Sequence, residues 1–295
     1  MLLLGEEIVT LGTGHHRRLT RRTPGLARAG STRDYDSVVP DHPSLREVSD
    51  HEALLELTEH DPFVRWGVPD PLAGTVLAGA GAVAVERVGR RGRGMWVIPH
   101  SGGGAAGIRA LLEDLGRGPV ERLGITHLSV PQEYAGELAA TFQTEGGGDW
   151  DWMWTVTDPA PVPYEDELIT LDDTADADEL SDLSTVHSPT GEGDPGTGRT
   201  HLWLGLRSPD GVLVAAGAMQ FLESGAPHLA GIVTHTDHRG RGFGRAVTAG
   251  LTRHAIASHG VCTLGMYSAN PPARRVYLGL GYRTAYAWHS RRLAT

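Results

Sequence analysis

Gly231-Ile232-Val233-Thr234-His235-Thr236-Asp237-His238-Arg239-Gly240-Arg241-Gly242-Phe243-Gly244-Arg245 runs an apolar strand into a turn of glycine and arginine, and that turn opens a helix. The helical stretch 242–259 keeps Phe243, Val247, Leu251 and Ala255 on one face, and Gly260 stops it. Amides in the first turn of a helix have no intrahelical acceptor, and glycine lets a ligand approach them closely, so such a turn is a cradle for an anion. Arg239, Arg241 and Arg245 add charge suited to phosphate. Taken by itself, the same stretch also reads as a tight strand-to-helix connection with surface arginines.

Working outward, residues 168–171 read as a strand, 175–187 as a helix and 191–198 as a flexible loop. Strands follow at 202–206, 212–221 and 228–234, then the helix 242–259, a strand at 261–266, a helix from Pro271 and a strand at 282–288. Strands alternating with helices around a central meander predict an α/β (α+β) layer on a mixed sheet. The first half reads coarsely the same way. A helix over 42–60, a buried strand over 74–85 and another at 95–98 precede an amphipathic helix carrying Ala105, Ile108, Leu111, Leu112 and Leu115. A strand at 125–130 and a helix at 132–143 follow, then a strand on which Trp150, Trp152 and Trp154 alternate with Asp149, Asp151 and Met153. The repeat is one of architecture, without a shared motif.

With 295 residues the chain suits two domains of roughly 120–150 residues. Pro159, Pro161 and Pro163 mark 158–164 as a linker between a first domain at 41–157 and a second at 165–295. Residues 8–33 hold six arginines and no acid, and 1–40 is expected to be a disordered leader. From 165 to 194 there are eleven acids and no arginine, either a solvated face or an attraction for a cationic amine. All 26 basic residues are arginine, which excludes a Walker A loop, a kinase-type ATP lysine and Schiff-base chemistry on the chain. A net charge of −10 argues against nucleic acid as a partner. The single cysteine, Cys262, excludes a disulfide framework and cysteine-based zinc motifs, and no histidine cluster has metal-ligand spacing, so no metal is expected. Without an export signal or a long apolar run, a cytoplasmic protein and no membrane partner are expected.

Three phosphate ligands compete for the turn. A dinucleotide fold wants its glycines in the first βα unit, whereas this turn comes late, after antiparallel strands. Triphosphate loops need the missing lysine. Coenzyme A remains, and a second block supports it: Ser268-Ala269-Asn270-Pro271-Pro272-Ala273-Arg274-Arg275-Val276-Tyr277-Leu278-Gly279-Leu280-Gly281-Tyr282. With Arg239, Gly242 and Gly244 matching R/Q-x-x-G-x-G/A and Asn270, the chain's one asparagine, ending the fifth strand, residues 165–295 resemble the GCN5-related N-acetyltransferase (GNAT) family. The first half resembles the degenerate first domain of tandem, glycine N-acyltransferase-like members. Its Arg90-Arg91-Gly92-Arg93-Gly94 precedes a strand and not a helix, so one cofactor site is expected.

The resemblance implies an N-acetyltransferase that uses acetyl-CoA as cosubstrate, the amine attacking directly through a tetrahedral intermediate. It implies that Val233 or Thr234 offers an N–H to the intermediate's oxygen, that Ile232, Val233 and Thr234 line the pantetheine arm, and that the amides from Gly240 through Arg241, Gly242, Phe243 and Gly244 to Arg245 hold the pyrophosphate. Tyr277 is implied as acid for the departing thiolate, or else packs on the sheet. Asn270 bonds the pantetheine or merely caps its helix; Arg274 reaches the adenosine phosphates or is solvated. His228 is the candidate base, with Glu223 as substitute, or is only a residue after a turn. The three indoles wall an acceptor pocket at the domain junction or form core. The acceptor stays open among small amines, amino acids, antibiotics and protein amines, a small molecule being placed ahead of a protein. A homodimer and a catalytically silent CoA-binding sensor also stay open.

Overall fold

The computed structural model describes residues 45–89, 92–100, 102–189 and 191–294. The expected leader at 1–40 and the Arg90-Arg91 pair lie outside them. In the first half, β1 (Arg46–Glu47), α1 (His51–Leu57), α2 (Pro62–Gly67), β2 (Val76–Ala78), β3 (Ala82–Gly89) and β4 (Gly92–Pro99) lead to α3 (Gly104–Gly116). Then come α4 (Pro119–Leu123), β5 (Ile125–Pro131), α5 (Ala135–Thr141) and β6 (Thr144–Thr155). The second half runs β7 (Ile169–Leu171), α6 (Ala177–His187), β8 (Leu202–Arg207), β9 (Leu213–Phe221), β10 (Pro227–Thr234), α7 (Phe243–His259), β11 (Cys262–Tyr267), α8 (Pro271–Gly279) and β12 (Arg283–Leu293).

Two expectations need correction. The helix predicted over 42–60 is α1 alone. Arg46 and Glu47 pair instead with Ala78 and Leu77, and Asp50 starts the helix by accepting the Ala53 N–H at 2.8 Å. The run 74–85 is not one strand but parts of β2 and β3, joined by a hairpin in which the Gly79 N–H meets the Ala82 carbonyl at 2.9 Å.

All strands described join one mixed sheet in the order β1-β2-β3-β4-β5-β12-β6-β11-β10-β9-β8-β7. Counted inward from either edge, each half lays down its first five strands in sequence order and then receives the sixth strand of the other half. β6 thus lies between β11 and β12, and β12 between β5 and β6. The two halves are tied by backbone hydrogen bonds as well as by side-chain packing.

Helices cover both faces. In the second half α7 buries Val247 and Leu251 against Leu229, Leu264 and Met153, the last contributed by β6. In the first half α3 buries Ile108, Leu111 and Leu112 against Met95, Val97 and Leu128. Where the halves meet, Phe63 of α2 stands edge-on to Trp96, Trp152 and Trp288 at centroid distances of 4.9, 5.2 and 5.1 Å. Such aromatic pairs contribute about 0.5–1.5 kcal/mol beyond their buried area. Among the described residues, no helix is long and apolar enough to cross a membrane.

Candidate functional site

The site begins with a register fault. Along β9–β10 the pairing holds from Pro227↔Phe221 to Ala230↔Ala218 and resumes at Val233↔Ala216, so Gly231 and Ile232 form a bulge. Gly231 sits at φ +59°, and a side chain there would strike Cα of Gly193 at 2.6 Å. Only glycine meets both demands. On its other edge β10 pairs with β11 only at His228↔Thr263 and Leu229↔Leu264, and the two parallel strands then part. The His235 N–H goes to the Val214 carbonyl of β9 at 2.9 Å. Alternation along the strand turns the Val233 N–H toward β9 as well, and the Thr234 N–H the other way, into the gap.

A cleft of about 640 Å³ fills that gap. Ile232, Val233 and Thr234 form one wall; Arg239, Gly240, Gly242, Phe243, Gly244 and Arg245 form its head; Asn270, Arg275 and Tyr277 close the far side. Gly240 and Gly242 take φ of +78° and +94°, left-handed values that fold the turn back onto the helix start. The first bond of α7 runs from the Ala246 N–H to the Gly242 carbonyl at 3.0 Å. No backbone acceptor among the described residues takes the amides of 240–245. The arginines divide their work. Arg239 donates to the carbonyls of Thr234 (3.2 Å) and His187 (2.5 Å) and so braces the turn against α6. Arg245 and Arg275 reach the cleft, whereas Arg241 is not part of its lining.

Asn270 caps α8, its Oδ1 accepting the Ala273 N–H at 3.2 Å, and lines the cleft as well. Arg274 points elsewhere, ion-paired to the fully buried Asp151 of β6. Ser268 donates to the same carboxylate at 2.6 Å. Arg275, its neighbour on the helix, is the one that faces the cleft. Sequence reading missed Asp151; the signal was an acid on the strand face opposite three indoles. Tyr277 is 8% exposed, its hydroxyl meets no hydrogen-bond partner among the described residues, and burial pushes its pKa up to about 12. Cys262 is buried, and burial raises its thiol to about 12 as well, leaving it protonated.

His228 lies on the near side of the bulge and opens into a different cavity, of about 280 Å³. That cavity is walled by Phe63, Trp96, Trp150 and Trp152 of the first half and by Phe221 and Glu223 of the second. Two indoles of the strand, Trp150 and Trp152, line this cavity. Trp152 is core at 3% exposure and also wall, and Trp150 donates its indole N–H to Ser290 at 2.8 Å. Trp154 takes the Arg283 guanidinium over its ring. His228 Nδ1 lies 2.9 Å from Thr263 Oγ1, and burial lowers its pKa to about 4, so the ring is neutral at neutral pH. Burial raises the Glu223 carboxyl.

Among the described residues of the first half, β3 and β4 pair without a fault from Ala82↔Pro99 to Gly89↔Gly92, and β4 pairs with β5 from Arg93↔Ile125 to Trp96↔Ser129 with one register shift, between Arg93 and Gly94. The sequence ahead of α3 reads His100-Ser101-Gly102-Gly103-Gly104, with glycines but no arginine. His187, His235 and His238 gather beside the other turn, the first two rings 3.9 Å apart. Among the described residues no three histidines, cysteines or acids are placed to hold a metal ion.

Residues 204–293, from β8 to the end of β12, match the family model described as FR47-like protein. None of the curated proteins compared with the chain matches it. Solved structures do. A GCN5-related N-acetyltransferase from Sphaerobacter thermophilus is 15% identical over 84% of this chain and 94% of its own, with a TM-score of 0.51. A GCN5-related N-acetyltransferase from Kribbella flavida is 17% identical over 74% and 89%, with a TM-score of 0.48. A GNAT-family acetyltransferase from Colwellia psychrerythraea is 13% identical over 85% and 99%, also at 0.48. At these identities the likeness is one of fold.

Proposed function

We propose that this chain, a GNAT-family protein by its FR47-like segment and its fold, is an acyl-CoA-dependent N-acyltransferase acting on a primary amine, most simply with acetyl-CoA as donor. The observation that carries the reading is the β10 bulge. It parts β10 from β11 and sets a cleft with a glycine-arginine head on one side and an aromatic cavity on the other.

The cleft fits the cosubstrate. Convergent amides at 240–245 with Arg245 and Arg275 suit the pyrophosphate and the adenosine phosphate, and the unpaired edge of Ile232 to Thr234 suits the amide-bearing pantetheine arm. A bound acyl thioester supplies an electrophilic carbonyl carbon and a sulfur that can leave. The chain's own groups do the rest. The Thr234 N–H faces the place where charge grows on the carbonyl oxygen. An alkylammonium has a pKa of about 10.4 and must lose a proton before attack; neutral His228 and the carboxylate of Glu223 stand on the acceptor side to take it, directly or through water. As the C–N bond forms and the C–S bond breaks, the nitrogen gives its second proton to the departing thiolate or to water, and the sulfur accepts a hydrogen bond from Tyr277.

The two halves are read as tandem GNAT-type units, 41–157 and 165–295 joined by the proline-rich 158–164, with only the second binding cofactor. Isothermal titration with CoA and an assay of free CoA release over an amine panel test this. One site per chain and amine-dependent CoA release are expected. No binding at millimolar CoA defeats the reading, and two equivalent sites defeat the one-site assignment.

A further inference from the structure

The smaller cavity carries chemistry that goes past the reaction class to the acceptor itself. It lies where the halves meet, and its walls are aromatic: Phe63, Trp96, Trp150 and Trp152 from one side and Phe221 from the other. Flat π-faces match a planar ring by offset or edge-on contact and also attract a cation. Glu223, on the turn between β9 and β10, lines the same cavity as His228, and the cavity reaches Ala230, the residue before the bulge. Glu86 is already held, by Arg93 at 2.7 Å and by the Thr75 N–H at 2.8 Å. Glu192 and Arg87, whose guanidinium lies 5.3 Å from the Trp96 ring, complete the charged groups of the wall.

Size and polarity then exclude acceptors. About 280 Å³ is at the small end of ligand pockets, too small for a folded protein segment. An amino sugar would set several hydroxyls against a mostly aromatic wall. We propose that this cavity is the acceptor site and that the acceptor is a small aromatic primary amine, its ring among the indoles and its amine at the His228–Ala230 end, beside the bulge. The proposal rests on the acyltransferase reading above.

The test uses the full chain with acetyl-CoA, measuring CoA release with tyramine, phenethylamine, spermidine, glucosamine and a lysine peptide, beside calorimetric CoA binding. Tyramine should exceed spermidine, glucosamine and the peptide at least tenfold in kcat/KM. Trp96→Ala, which opens the aromatic wall, should raise KM for tyramine and phenethylamine at least tenfold and leave CoA affinity unchanged; unchanged KM for both amines overturns the aromatic site. If CoA binds but glucosamine, spermidine or the peptide is the better substrate, the aromatic acceptor is wrong and the acyltransferase reading stands. If CoA does not bind, the failure belongs to that reading. Saturable quenching of indole fluorescence by tyramine gives a second readout, independent of turnover; its absence in a CoA-binding protein overturns the proposal.

Discussion

Replacing Tyr277 by Phe removes one hydroxyl and keeps the ring that packs in the core beside Leu280 and Tyr282. Because that hydroxyl bonds to no described residue, its loss should leave the melting temperature within a degree or two. The effect on rate follows from the acidity of the phenol. Burial pushes it up to about 12, while a free thiol sits near 8.5, so complete transfer of the proton to the departing sulfur is uphill by about 3.5 pH units. What the phenol can give is a hydrogen bond to developing charge, worth about 1.5–3 kcal/mol. That is roughly a tenfold to 150-fold fall in kcat, below the upper range of true general acid catalysis. The assay is steady-state release of CoA, with KM for acetyl-CoA measured in parallel and expected to change little. A fall under threefold would assign Tyr277 to packing alone, and a fall of a thousandfold or more would mean that it transfers the proton outright.

Other perturbations have equally definite outcomes. Gly242→Asp should abolish the rise in melting temperature that CoA produces, since it places a carboxylate where the amides converge, at φ +94°; Gly242→Ala, which shares the backbone strain without the charge, should retain part of it. A fragment of residues 160–295 should fail to fold cooperatively by circular dichroism, because β11 and β12 both pair with the missing β6; a sharp melting transition would contradict the interleaved sheet. His228 links stability to pH. Its pKa is about 4 when folded against 6.5 in the free side chain, so the unfolded chain binds more protons between those values. Stability is full above pH 6.5 and declines as pH falls toward 4, by about 3 kcal/mol at most. Chemical denaturation at pH 7 and pH 4.5 should show this in the parent and a smaller difference in His228→Gln. If His228 is also the base, the acid limb of kcat/KM should lie near pH 4 and vanish in the same variant.

The second half was legible almost strand by strand. Residues 228–234 were read as a strand and are Pro227–Thr234; 242–259 were read as a helix and are Phe243–His259. Local period and punctuation decide such stretches: apolar alternation, a proline at the start, glycines at the ends. The glycine-arginine turn was legible for the same reason, being a motif contiguous in the chain. Arg274 and Arg275 show where this stops. Adjacent helix positions diverge by about 100°, and nothing in the sequence says which faces the cleft and which the buried Asp151. The aromatic cavity was half visible as an indole stripe on β6, but Phe63 and Trp96 join it only through tertiary contact. The interleaving of β6 and β12 was invisible, because alternation reveals a strand's two faces and not the strands beside it.

That interleaving sets a schedule for synthesis. The pairing of β5 with β12 joins Val130 to His289 and Leu128 to Arg291, so the first half must emerge from the ribosome with one edge of β5 open until more than 150 further residues have been made. β6 likewise waits for β11, and the bulge of β10 has a finished second wall only when both are in place. Pairings so distant in sequence are slow to close, and open strand edges recruit other chains while they wait. The interleaved sheet therefore closes in one late step, when the final strand enters between β5 and β6.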